Sequence, residues 1–269
     1  MDILHRLFSL KDKVALVTGA GGGIGRVLAQ ALAESGATVA LHDREIAMTN
    51  DIAAEIQSAG HPCVQVAADL ADVAVCARLV DEVHSATGRL DVLVNCAAMN
   101  RRKPIADVTP GDFDTIVAVN LRSVYFLSQA AHRIMRASDG GKIIHISSIN
   151  AFYSLHDVSV YGLTKGAIAQ LTRTMAVEWA RDNVQVNCIA PGFMRTPLSA
   201  PVWADAHRAA WLTERIPMRR PGEPDELVGM VLLMASNASS YLTGVTVNID
   251  GGVLAGGSWN PEAKVEGDG

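Results

Sequence analysis

Lys13-Val14-Ala15-Leu16-Val17-Thr18-Gly19-Ala20-Gly21-Gly22-Gly23-Ile24-Gly25 is an apolar, β-rich run that breaks into glycines. A helical apolar pattern follows over Ile24–Glu34. Strand, glycine-rich turn and helix in that order form the opening unit of a parallel sheet, with a ligand site at the turn. Gly19, Gly21, Gly22, Gly23 and Gly25, with Ile24, allow the backbone to turn sharply and approach a pyrophosphate closely. The start of the helix adds free N–H groups and the positive end of a dipole.

Outward from this unit the alternation continues. Strands are expected at Lys13–Thr18, Thr38–His42, Cys63–Ala67, Leu90–Asn95, Lys142–Ser147, Val184–Ala190 and Val245–Asp250. Helical patterns fill Ile24–Glu34, Ala47–Ala59, Val73–Ala86, Pro110–Ala137, Val160–Arg181 and Asp225–Ala235, and the stretch Pro191–Pro224 is irregular. Strands this continuously apolar are buried on both faces, as in a parallel sheet. The expected fold is a doubly wound α/β domain: a seven-stranded parallel sheet flanked by helices on both faces. One domain covers residues 1–255, and a polar, glycine-rich tail covers 256–269.

The chain has 269 residues, 49% hydrophobic and 19% charged, enough for one large core. The net charge of −5 comes without a basic block, which argues against nucleic acid or an anionic membrane surface as partner. No apolar run approaches the roughly 18 residues of a membrane span, and the N-terminus does not resemble a signal peptide. Four scattered cysteines form no CxxC, and eight dispersed histidines form no HExxH. No metal site is therefore expected, and the reading is of a soluble, cytoplasmic protein.

In an open α/β sheet, ligands bind beyond the C-terminal ends of the strands. Asp43 ends the second expected strand, 18 residues past Gly25, where an acid binds the adenosine ribose hydroxyls. A carboxylate there repels a 2′-phosphate, so NAD is favoured over NADP, and Arg44 softens that preference. Asp69 and Leu70 end the third strand and Asn95-Cys96-Ala97-Ala98 the fourth, placed to line the adenosine. Tyr161 and Lys165 lie four apart at the start of a helix, on one face. An ammonium beside a phenol favours the phenolate and predicts a lowered tyrosine pKa, suited to proton transfer at neutral pH.

With these residues in place the chain resembles the short-chain dehydrogenase/reductase family over about residues 8–255. The resemblance rests on Thr18–Gly25, Asp69, Asn95–Ala98, Asn120, Ser148, Tyr161-x-x-x-Lys165 and Pro191-Gly192. It implies a Rossmann-type fold and hydride transfer between NAD(P) and a secondary alcohol or ketone. By position, Tyr161 is the acid/base and Lys165 holds the nicotinamide ribose. Ser148, thirteen before the tyrosine, binds the reacting oxygen, and Asn120 holds a water linking Lys165 to solvent. Asn95 and Ala97 match the adenosine motif, whose final glycine is here Ala98, predicting a small change in cofactor fit. Pro191, Gly192 and Thr196 border the nicotinamide. The family's tetramers make a homotetramer the expected assembly.

Substrate choice is expected in Met99–Lys103, Asn150–Ser159 and a lid at about 194–217. Asn100-Arg101-Arg102-Lys103 resembles a run in the gluconate 5-dehydrogenases and 2-deoxy-gluconate dehydrogenases of the family. With arginine's fit to carboxylates, it points to a small-molecule substrate such as a sugar acid or polyol. Arg101, Arg102, Asn150 and His156 join Ser148 and Tyr161 as candidate substrate contacts. The alternatives are a 3-oxoacyl-acyl-carrier-protein reductase and, in another class, a non-catalytic NAD-binding regulator.

Overall fold

The computed structural model describes residues 2–257. Its elements, in chain order, are α1 (Ile3–Phe8), β1 (Val14–Thr18), α2 (Gly23–Glu34), β2 (Thr38–Asp43), α3 (Asn50–Ser58) and β3 (Cys63–Ala67). Then come α4 (Ala74–Thr87), β4 (Val92–Asn95), α5 (Pro110–Val117), α6 (Ser123–Met135), β5 (Gly141–Ile146) and α7 (Ser159–Trp179). β6 (Val184–Pro191), α8 (Ala200–Trp203), α9 (Ala206–Arg215), α10 (Val228–Ala235) and β7 (Thr246–Ile249) complete the chain.

The seven strands form one parallel sheet in the order β3-β2-β1-β4-β5-β6-β7. Every residue of β1 is buried because both faces of the sheet are covered. Successive residues of a strand serve opposite layers. Val17 and Leu41 pack with Leu28, Leu32, Ile52, Ile56 and Met234 beneath α2, α3 and α10. Leu16 and Leu93 pack with Leu79, Leu127, Met135 and Met175 beneath α4, α6 and α7. The chain leaves β1 toward β2 and β3, then returns to β4 on the other side. The crevice between the ends of β1 and β4 is this sheet's switch point, where such folds bind ligands.

The structure departs from the sequence reading in three places. The helix expected over Pro110–Ala137 is two helices joined by a π-turn at Ala118–Arg122. The irregular stretch after Pro191 contains α8 and α9, the latter capped by Asp205, whose side chain accepts from His207 N and Arg208 N. The short α1, which the sequence reading left out, buries none of its residues. Of the tail 256–269, only the exposed Gly256 and Gly257 lie within the described residues. Among the described residues no helix is long and apolar enough to cross a membrane. Nor, among them, does any group of three or more His, Cys, Asp or Glu side chains offer a metal site.

Candidate active site

A cleft of about 680 Å³ opens beyond the C-terminal ends of the strands. Gly19, Gly22, Gly23, Ile24 and Gly25 form one wall. Gly19 has φ +71°, and a Cβ there would meet Ala97 Cα at 3.0 Å. A Cβ on Gly25 would run into the Gly19 carbonyl. Beside Gly22 there is open space on the cleft side, a cradle that side chains would otherwise occupy. Gly21 does not line the cleft; its N–H donates to Asp43 Oδ2 (3.0 Å) and so sets the carboxylate's direction. Asp43 Oδ1 accepts from Arg44 N (2.8 Å), and both residues line the cleft.

Asp69 and Leu70 lie on the same side, with Asp69 Oδ1 holding Ala71 N (2.9 Å). Ala97 also lines the cleft, flanked by Cys96 and Ala98. The N–H groups of Cys96 and Ala97 both donate to Thr18 Oγ1 (3.0 and 3.1 Å), which ties the ends of β1 and β4 together. Asn95 is not a wall residue. It is buried beneath, and its Nδ2 donates to Ser128 Oγ (3.1 Å). Pro191, Gly192 and Thr196 close the far end. A glycine cradle clear of side chains, a fixed ribose-side carboxylate and a long lined floor together fit a dinucleotide.

Ser148, Tyr161 and Lys165 meet in the middle of the cleft. Ser148 is buried at the end of β5, and its Oγ accepts from Asn150 N (3.1 Å). Lys165 lies on α7 one turn past Tyr161, with Nζ 5.5 Å from the phenol ring centre. The sequence predicts a lowered tyrosine pKa, and the structure reverses it: burial pushes the phenol up to about 12. The nearby Ser148 hydroxyl and Arg102 pull it back only in part. Lys165 does not offset the burial. It is itself buried, which brings its pKa down to about 8, and its Nζ donates to Ile146 O (2.7 Å). Asn120 lies outside the cleft lining, at the π-turn. Its Oδ1 accepts from Met99 N (2.8 Å), and its Nδ2 donates to Met99 O (2.9 Å) and Thr164 Oγ1 (3.4 Å). The side chain expected to hold a water is thus committed to the backbone of the loop after β4.

At the substrate end the basic run divides. Lys103 Nζ and Arg101 Nη1 (3.0 Å) both bond the Asp112 carboxylate, which also caps α5 through Thr109. Lys103, then Thr109 and Arg101, hold that carboxyl well below the usual carboxylate range. Arg101 still borders the cleft, but its charge is already partnered. Arg102 faces the cleft and makes no ion pair among the described residues. Asn150 lines the cleft, anchored through Nδ2 to Tyr153 O (3.0 Å). His156 is exposed and away from the cleft, so the expectation that it faces substrate is not met.

Sequence reasoning missed several wall residues. Asn100 presents an Oδ1 without a hydrogen-bond partner among the described residues. Leu155, Val158, Val202, Trp203 and Leu212 add apolar side chains to the cleft lining. These residues lie within the segments expected to govern substrate choice, but their side chains carried no individual signal apart from the lid tryptophan; Trp203 Nε1 donates to Met194 O (3.2 Å).

A family model described as enoyl-(acyl carrier protein) reductase matches residues 19–254. The 2-dehydro-3-deoxy-D-gluconate 5-dehydrogenase of Escherichia coli (strain K12) is 36% identical over 249 residues, 92% of this chain and 98% of that protein. A tropinone reductase homolog of Arabidopsis thaliana is 36% identical over 265 residues, 97% of this chain and 100% of that protein. The crystal structure of a gluconate 5-dehydrogenase from Burkholderia cenocepacia J2315 with NADP and tartrate superimposes with a TM-score of 0.91. It is 36% identical and covers 95% of this chain and 100% of that one. The chain belongs to the short-chain dehydrogenase/reductase family and is an NAD(P)-dependent oxidoreductase acting on CH–OH groups.

Proposed function

We propose that the protein interconverts a secondary hydroxyl and a ketone on a sugar acid. The observation that carries this reading is Arg102, a guanidinium with no ion-pair partner among the described residues, lining the cleft with Ser148, Asn150 and Tyr161. Asn100 adds an open acceptor for a substrate hydroxyl. The names of the Escherichia coli and Burkholderia relatives point the same way.

In this reading the glycine wall, Asp43, Asp69, Leu70, Ala97, Pro191, Gly192 and Thr196 hold the dinucleotide, which supplies the hydride chemistry when bound. Ser148 Oγ hydrogen-bonds the reacting oxygen and stabilises charge on it. Tyr161 Oη exchanges the proton with that oxygen. At a pKa near 12 the phenol is protonated at neutral pH and is set to donate, which suits ketone reduction. For oxidation it must lose its proton, and any cation brought near it, Arg102 included, lowers the cost. Arg102 binds the carboxylate and fixes which hydroxyl reaches Ser148 and Tyr161.

We read Asp43 as favouring NAD, because its carboxylate repels a 2′-phosphate. Arg44 on the rim gives NADP a partner, and the Burkholderia structure contains NADP. The outer faces of α5, α6 and α7 expose Phe113, Tyr125, Phe126 and Val177, which supports assembly of like subunits as a homotetramer.

A second reading has an observation of its own. The wall of Leu155, Val158, Val202, Trp203 and Leu212 would accept an acyl chain, as in a 3-oxoacyl-acyl-carrier-protein reductase. Initial rates across aldonates, deoxy sugar acids, their uncharged polyol counterparts and a 3-oxoacyl thioester, each with NAD(H) and NADP(H), separate the two. Sugar-acid oxidation that falls at least tenfold in Arg102→Gln supports the first reading. Turnover of the thioester alone would replace it with the second.

A further inference from the structure

We propose that Arg208 of the lid helix α9 is the second half of an anion clamp. The substrate carboxylate is held between Arg102 on one side of the cleft mouth and Arg208 on the other, so the lid closes on charged substrates. The proposal rests on the sugar-acid reading of the same site.

The argument begins with helix geometry. Arg208 and Leu212 are four residues apart on α9, which puts them on one face. Leu212 is 5% exposed and lines the cleft, so this face of α9 is the one turned inward. Arg208 stands one turn nearer the start of the helix, with its side chain half in solvent (54% exposed). Its Nε lies 3.5 Å from Asp205 Oδ2, while Asp205 Oδ1 is engaged in capping the helix. The two Nη groups have no hydrogen-bond partner among the described residues.

On the opposite side, Asp112 takes up Arg101 and Lys103, and Arg102 lines the cleft with no ion pair among the described residues. Arg208 is close enough to Arg102 to disfavour its charge, and that repulsion, after burial, lowers the Arg102 pKa. Tyr161 and, after it, Asp157 oppose that shift. Asp205 meets Arg208 at Nε, and an anion placed between the Arg208 Nη groups and Arg102 is attracted by both. A carboxylate has two oxygens and can take a guanidinium on each. Binding it would draw α9 inward and bring Trp203 and Leu212 over the substrate, excluding water from Ser148 and Tyr161.

The test is calorimetric titration of the NADH-saturated enzyme with tartrate, a small dicarboxylate that needs no turnover. Wild type is compared with Arg102→Gln, Arg208→Gln and the double variant. Arg215→Gln is the control: it removes a like charge from the same helix, where Arg215 stacks on Trp211 at 3.6 Å. Each single variant of the pair is expected to weaken tartrate by about tenfold or more, the loss of one charge-assisted hydrogen bond. The double variant is expected to fall less than the product of the two, and Arg215→Gln to match wild type. Tartrate affinity unchanged in Arg208→Gln, equal losses in Arg208→Gln and Arg215→Gln, or no binding to wild type would each overturn the clamp. Parallel rates on sugar acids separate the two ideas. Wild type that oxidises acids while Arg208→Gln binds tartrate normally removes the clamp and keeps the function. Loss of tartrate in Arg208→Gln with no sugar acid oxidised by wild type keeps the clamp and removes the function.

Discussion

Replacing Asn120 by alanine tests whether this side chain shapes the site rather than only serving it. The amide is 1% exposed and makes three hydrogen bonds, two of them with the N–H and C=O of Met99. It therefore stitches the π-turn between α5 and α6 to the loop that follows β4. Alanine leaves both Met99 backbone groups without their partner. An unsatisfied buried polar group costs about 1–3 kcal/mol. Met99 is only half-buried, so water recovers part of that loss, and the two groups together should cost about 2–4 kcal/mol. For a domain of this size that lowers the melting temperature by about 4–16 °C.

Scanning calorimetry of wild type, Asn120→Ala and Asn120→Asp measures it. The aspartate keeps an acceptor for Met99 N but sets a carboxylate oxygen against Met99 O, so it should also be destabilised. Both variants should lose turnover as well, because Met99 leads directly into Asn100 and Arg102. A melting temperature within about 1 °C of wild type in Asn120→Ala would refute the reasoning: Met99 would then have found other partners, and the amide would not hold the loop. Lowered stability with unaltered kinetics would separate the stitch from the site.

Three further outcomes are expected. Tyr161→Phe should keep dinucleotide affinity, measured by fluorescence titration, and lose turnover by about a hundredfold or more, the scale of a positioned acid/base; near-normal rates would remove Tyr161 from the chemistry. The oxidation rate should climb from pH 7 to pH 10 and the reduction rate should not. The phenol is pushed up to about 12 and must be ionised to accept a proton, whereas as a donor it is already in the required form; an oxidation profile flat over that range would contradict the assignment. Asp43→Asn should raise kcat/KM with NADP relative to NAD by about tenfold, by removing the repulsion of a 2′-phosphate; an unchanged ratio would place that discrimination elsewhere.

What could be read from the sequence was what local backbone geometry and short spacing determine. Thr18–Gly25 was legible because a close turn excludes side chains at Gly19 and Gly25, whatever the rest of the chain does. Tyr161 and Lys165 were legible because four residues along a helix fix a shared face. The π-turn was not: its apolar pattern runs on as a helix, and the partner of Asn120 is Met99, on a different element. The tyrosine pKa was misread for a related reason. Proximity to Lys165 is visible in sequence, but the burial of both groups is a property of the packed cleft, and burial dominates. His156 fell off the site because position between two motifs does not fix which way a loop side chain points.

The division of the basic run shows what would have been needed. Arg101 and Lys103, two apart, reach the same Asp112 carboxylate, while Arg102 between them turns to the cleft, as alternate residues of an extended chain do. The sequence contained that alternation and the capping box Thr109-x-x-Asp112, but not the contact joining them. With it, the loop after β4 is fixed at three points: Met99 by Asn120, Arg101 and Lys103 by Asp112, and Lys103 N by Asp157 O (3.1 Å). A loop held in this way offers Arg102 in one place before any ligand arrives, and its ordering cost is met in folding rather than in binding. The opposite wall includes the short helices α8 and α9, which bury one side chain between them, Leu212. In the proposed reading, then, the carboxylate is met by Arg102 on a side fixed in folding and by Arg208 on a lighter side that moves onto it.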